Sequence, residues 1–137
     1  MVGDRLRAQG RAPPFSTSSM ELFDTTQIGL ERALSGASLR QQAIAQNIAN
    51  VNTPGYRRQD VDFQSALHAA WDEGESSVER VAPSVAVDQS AVMRADGSSV
   101  DIDNEAASQA KNGLQYEAIT SVMKVRTAIL RTAIGGA

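Results

Sequence analysis

The stretch Asn47-Ile48-Ala49-Asn50-Val51-Asn52-Thr53-Pro54-Gly55-Tyr56 constrains this chain more than any other, because it ends a long helical pattern and turns the chain sharply. Upstream, Leu30, Leu34, Ala37, Gln41, Ile44, Ile48 and Val51 are spaced alternately by four and three residues, a heptad seam broken by one glutamine. Thr53 precedes a proline and is pushed out of the α region. Pro54 lacks an N–H and fixes its own φ. Pro54-Gly55 suits the centre of a type II turn, and Asn52 suits the left-handed conformation that follows many helices. A second apolar stripe, Leu114, Ala118, Val122, Val125 and Ile129, runs near the other end of the sequence. Ile119, Met123, Leu130 and Ile134 widen it, and Gly135-Gly136 closes it. The first seam runs for only three heptads, one of them broken by Gln41, so an ordinary amphipathic helix packed in its own domain also accounts for it. The second helix tips the balance toward assembly through both ends.

Composition agrees with assembly. The 137 residues suit one domain, yet aromatics are only 4% and much of the 42% hydrophobic content is alanine and valine. A monomer of this composition buries little large apolar surface, and neighbouring chains can supply the rest. No cysteine is present, which excludes disulfides, thiolate catalysis and cysteine-ligated zinc. No apolar run approaches the roughly 18 residues that span a bilayer. Residues 1–19 lack the hydrophobic core of a secretory signal. Arg5, Arg7, Arg11, Pro13-Pro14 and Ser16-Thr17-Ser18-Ser19 predict a disordered tail, or an extension upstream of a start at Met20. The net charge is −3, but residues 60–105 carry eleven acids against Arg80 and Arg94. The last helix instead carries Lys111, Lys124, Arg126 and Arg131 against Glu117. Nucleic-acid binding needs a concentrated basic face and is disfavoured, whereas electrostatic pairing head to tail between subunits is permitted.

The expected fold is mainly α: long N- and C-terminal helices pair as a coiled-coil-like layer, and a small irregular β-containing segment lies between them. Residues 20–53 form the N-terminal helix, starting near Asp24 or Thr25 as cap. Gly29 and Gly36 fall inside it, each costing about 1 kcal/mol against alanine unless close approach of another helix requires them. Residues 54–103 form an extended, flexible middle. Tyr56–Phe63 alternates as a strand does, 64–71 suits a short helix and 72–80 a mobile loop. Val81–Val87 and Ala91–Met93 suit a weak strand pair, and Asp96-Gly97 a turn. Residues 104–137 form the C-terminal helix, capped by Asp103 or Asn104 with Glu105 in its first turn. Together, residues 20–137 form one structural unit.

Signals for chemistry are weak. His68 is the only histidine, and nothing in the sequence supplies the geometry of a triad. Asp96 to Glu105 is acid-rich, but Gly97 directly follows the first aspartate, which breaks the calcium-loop register. No catalytic, cofactor-binding or metal-binding residue is expected, and no enzymatic activity. Asn47 and Asn50 either bond across to a partner helix and fix register, or cap locally beside the turn.

Asn47 to Tyr56 closely resembles the signature of bacterial flagellar axial proteins, the rod, hook and hook-associated subunits, with Asn47, Ile48, Ala49, Asn50, Asn52, Thr53, Pro54, Gly55 and Tyr56 as the motif positions. Leu22-Phe23-Asp24, Arg40-Gln41, Ala45-Gln46-Asn47, Asp60-Val61-Asp62-Phe63, Asp96–Asp101 with Glu105, and Leu130–Ile134 narrow the resemblance to the proximal rod. It covers residues 20–136. It departs from the pattern in residues 1–19 and, mildly, at Ser98.

The resemblance implies a structural subunit of the basal body. Such subunits pass unfolded through the flagellar type III export apparatus and assemble into the periplasmic rod, which transmits torque and surrounds the export channel. The implied partners are FlgC, the distal rod subunits, the adaptor FliE, the export gate and further copies of the chain. Leu30, Leu34, Ile44, Ile48 and Val51 on the first helix, with Val122, Val125 and Ile129 on the last, are the expected packing residues. Folding coupled to addition at the tip predicts low helicity in the free subunit. The alternatives are another rod subunit such as FlgC, or a secretion-system adaptor or binding module that does not polymerise.

Overall fold

The computed structural model describes residues 18–135, with side chains from Thr25 onward. The sequence expectations for residues 1–17 lie outside that range. Six elements follow in order: α1 (Ser18–Ala49), β1 (Gln59–Asp60), α2 (Gln64–Glu73), α3 (Glu75–Arg80), β2 (Ala86–Val87) and α4 (Ile102–Gly135). The fold is mainly helical, as the two apolar periodicities require. α1 and α4 run antiparallel: Asn47 meets Glu105, while Asn112 reaches Ala37 and Gln41.

α1 begins well before Asp24 or Thr25. Met20, Glu21 and Leu22 are good helix formers, and nothing between Ser18 and Asp24 breaks a helix. The Thr25 hydroxyl therefore lies inside the helix and donates to Glu75 Oε2, 3.0 Å away on α3. At its other end α1 winds into successive turns. Asn50 N–H bonds the carbonyls of Gln46 and Asn47, and Tyr56 N–H closes on Thr53 O at 3.2 Å. Gly55 takes the positive φ of 74° that the second turn needs. Asn52 does not turn left-handed, because every positive φ among the described residues belongs to glycine. The Asn50 amide, donating to Gln46 O at 2.8 Å, occupies a terminal carbonyl that a left-handed cap would otherwise serve.

The middle segment lies across a second line on α1. Gly29, Ala33, Gly36, Arg40, Ala43 and Asn47 are again spaced by four and three, but most are small. A Cβ on Gly36 would run into the Phe63 ring, and one on Gly29 would sit 2.5 Å from Trp71. The glycines thus admit two aromatic rings from the chain's own middle segment, Phe63 just before α2 and Trp71 on it. Ala43, Val61 and Phe63 form the core beside them. Arg40 donates to Val61 O at 3.0 Å through Nε, and its guanidinium lies 5.1 Å from the Phe63 centroid. Val61 and Phe63 are buried while Asp62 is exposed, so the alternation seen in the sequence is realised.

Three local expectations are corrected. Residues 75–80 form α3 rather than a mobile loop, because the single apolar residue there, Val78, is fully buried. Gly74 at φ 107° makes the bend between α2 and α3. Val81–Val87 does not pair with Ala91–Met93; β2 pairs antiparallel with β1, Gln59 opposite Val87 and Asp60 opposite Ala86. The bond from Asp88 N–H to Arg58 O at 2.9 Å continues that ladder and leaves Val92 exposed. Finally, Asp101 caps α4, its Oδ1 accepting from the N–H groups of Asp103 (2.9 Å) and Asn104 (3.3 Å), so the helix starts at Ile102. The Asp96-Gly97 turn forms as expected, with Gly97 at φ 77°, and Gly55 N–H bonds Asp96 O at 3.1 Å.

Candidate assembly interface and the polar clamp behind it

The chain beyond the Pro54-Gly55 turn returns to α1 first through Asn47 and then through Arg40. Asn47 accepts from Gln59 N–H at 2.9 Å and donates to Gln59 O at 2.7 Å. It therefore bonds the strand as a neighbouring strand would, but from a helix. The same amide donates to Glu105 Oε2 at 3.2 Å, and Tyr56 Oη donates to its Oδ1 at 3.4 Å. Asn47 and Glu105 are both fully buried. Arg58 Nε donates to Glu105 Oε1 at 2.5 Å, its Nη1 to Asp88 Oδ2 at 2.7 Å, and its backbone N–H to Ser99 Oγ at 2.8 Å. One cluster thus ties α1, β1, the β2 end and the start of α4.

Its acids converge on the single cation of Arg58. Burial pulls the Arg58 guanidinium down, but the bond and charge of Glu105, then Asp60 and Asp88, outweigh it and raise its pKa above the usual value. The Asp88 carboxyl is held below the usual range by the Ser90 hydroxyl, against burial, with Ser90 N–H and Arg58 adding to the effect. Burial first, and then the Glu105 charge, push the Tyr56 phenol up.

Asn47 takes the cross-element role that the sequence left open, within one chain, while Asn50 takes the local one. Asn50 bonds Gln46 O and accepts from Thr53 Oγ1 at 3.3 Å. Ala49, Asn52, Thr53, Pro54 and Gly55 line the exposed turn, and Ile48 and Tyr56 are half-buried. Arg58 and Asp88 carry the clamp without having been singled out from sequence. The signal available was a basic pair, Arg57-Arg58, immediately before an acid-rich stretch. His68 is exposed on α2, 3.8 Å from Asp72. Among the described residues no three metal-ligating side chains cluster.

The two faces of α4 are divided unexpectedly. Toward α1 it turns Glu105, Ser108, Asn112, Gln115, Ile119, Met123 and Arg126, a line spaced by three or four residues whose first four members are polar. Asn112, nearly fully buried, donates to Ala37 O at 2.9 Å and to Gln41 Oε1 at 3.0 Å, which places the one glutamine of the first seam. The apolar stripe points away: Leu114, Val122, Val125 and Ile129 are 69%, 52%, 58% and 63% exposed. Of the expected packing residues, Val122, Val125 and Ile129 are thus open to a partner. Leu30, Leu34, Ile48 and Val51 are half-buried, and Ile44 is spent inside the chain's own fold.

Residues 30–57, which hold the first seam and the turn together, match the family described as "Flagella basal body rod protein". Two antiparallel helices that leave their apolar stripe uncovered suit that class, the structural subunits of the bacterial flagellar rod. The chain is 30% identical over 131 residues to the flagellar basal body rod protein FlgB of Bacillus subtilis (strain 168), across 85% of this chain and 98% of that protein. It is 32% identical over 111 residues to FlgB of Escherichia coli (strain K12), across 68% and 80% of the two chains. Against FlgB of Borrelia hermsii the identity is 31% over 122 residues, across 75% and 90%. The chain belongs to the FlgB family of flagellar basal-body rod proteins. It is a structural subunit of the flagellar basal body, and no helix among its described residues is long and apolar enough to cross a membrane.

Proposed function

We propose that the chain builds the proximal part of the periplasmic rod, between the export gate with its adaptor FliE and the subunits FlgC and distal rod. It passes unfolded through the type III export apparatus, carries out no catalysis and needs no cofactor. Residues 20–137 act as one structural unit, with 54–103 as the segment between two axial helices. The observation that carries this is the inverted α4, whose polar residues face its own α1 while Val122, Val125 and Ile129 face outward. Exposed apolar area on this scale marks an interface, and burying each such side chain is worth about 1.5–3 kcal/mol. Leu30, Leu34, Ile48 and Val51 retain part of their surface for the same layer. A head-to-tail contact that does not close on itself continues as a helical filament.

The double substitution Val125→Asp, Ile129→Asp tests it. Cells carrying it export the chain but do not swim, and isolated basal bodies lack the rod. Swimming cells with normal rods would refute the assignment of the stripe. Immotile cells whose basal bodies keep a complete rod would point instead to an adaptor that never polymerises.

A further inference from the structure

One apolar groove is not accounted for by the stripe alone. It lies where α1, α2 and α4 meet, encloses about 470 Å³, and is floored by Ala33, Phe63, Leu67, Trp71, Ala118 and Ile119. Asp72 and His68 stand on its rim. Resting on the rod assignment above, we propose that this groove receives the C-terminal end of α4 from a second copy of the chain, with Leu130 and Ile134 entering it and Arg131 directed to the rim.

Shape and charge both select this occupant. Leu130 and Ile134 are one helical turn apart and are 44% and 83% exposed. Residues 118–135 carry Lys124, Arg126 and Arg131 and no acid. α2, which builds the groove's outer wall, carries His68, Asp72 and Glu73, and α3 after it adds Glu75 and Glu79 against Arg80. Exposed ion pairs add little affinity, but opposite charge on the two surfaces fixes orientation. The occupant cannot be the chain's own end. α4 is one continuous helix, and at 1.5 Å per residue Ile134 lies roughly 22 Å beyond Ile119. Groove and knob are therefore different surfaces of the same molecule, which is the arrangement that propagates.

The absence of cysteine makes the test direct. A chain carrying Leu67→Cys together with Ile134→Cys, expressed in place of the original, is expected to form disulfide-linked ladders of the chain on mild oxidation. Each single variant gives dimers at most. Motile cells with normal rods and no ladder would overturn the groove while leaving the rod assignment intact. A cross-link to a subunit of different mass would overturn it too, by placing another rod protein in the groove.

A second measurement covers the case in which the double variant fails to assemble. Trp71 is the only tryptophan and lines the groove. A synthetic peptide of residues 118–135, titrated into the full chain, is expected to shift its emission to the blue in a saturable way. Ile134→Asp in the peptide abolishes the shift. Arg131→Glu weakens it several-fold, and Asp72→Lys in the chain restores it. A silent tryptophan, or equal binding by the Ile134→Asp peptide, would refute the proposal.

Discussion

Removal of Arg58 is the sharpest test of the clamp. Glu105 has no solvent exposure, so in an Arg58→Ala variant its carboxylate keeps the Asn47 amide as its side-chain donor but loses its counter-charge. Breaking a buried pair by removing one partner costs about 3–5 kcal/mol, because the remaining charge stays desolvated. Asp88 and Asp60, the other acids beside Arg58, retain 19% and 45% exposure and can rehydrate, so their share is about 0–1 kcal/mol. The whole effect is therefore expected to come from Glu105. Urea unfolding of the purified chain, followed by Trp71 emission and helical circular dichroism, reads it out. With a urea slope of about 1.5 kcal/mol/M, the midpoint falls by about 2–3 M. The double variant Arg58→Met, Glu105→Met removes both charges and fills the space. It should recover most of the loss, since replacing a buried ion pair by apolar groups is often neutral. A loss below about 1 kcal/mol in Arg58→Ala, or a double variant equal to the sum of the singles, would refute the clamp as described.

Glycine substitutions on the two long helices should have opposite signs. Gly36→Ala drives a methyl into Phe63 and lowers stability by about 1 kcal/mol, overpacking outweighing helix propensity, whereas Gly113→Ala meets open space and raises it by about 0.5–1 kcal/mol. Thermal unfolding of both distinguishes this from a general glycine effect. Asp88, whose carboxyl is depressed in the fold, contributes stability that is present above its ordinary value of 3.8 and lost as pH falls through the lower folded value. Asp88→Asn should therefore flatten the stability curve below about pH 4, and an unchanged acid limb would remove Asp88 from the clamp. Hydrogen exchange on the free chain should protect the amides around Asn47 and Glu105 and leave residues 118–135 fast, with protection gained on assembly. Uniform protection along α4 in the free chain would contradict coupled folding.

The two apolar periodicities made the long helices legible, and Pro54-Gly55 made the end of the first one legible. Elements between them were harder to see for identifiable reasons. Val78 is a single apolar residue among charges, so no periodicity announced α3; its burial against the rest of the fold decides the helix. β2 is two residues long, and its partner is fixed by Arg58 and Asp88 rather than by a hairpin turn. The second line on α1 escaped because Gly29, Ala33, Gly36 and Ala43 are small, and a search for large apolar residues passes over the positions where a backbone must be approached closely.

These omissions explain why the motif sits where it does. α1 has to serve two partners, the middle segment on its small-residue line and α4 on its heptad seam. Asn47 lies at the end of the small-residue line, three residues beyond Ile44 on the heptad seam, and its amide satisfies β1 and Glu105 together. Moving the turn by one residue would rotate Asn47 relative to Gln59 and unpair Glu105 as well. The spacing from Asn47 through Pro54-Gly55 to Arg58 therefore acts as a gauge. It fixes the length of α1 against the start of α4, and so fixes which face of α4 stays exposed.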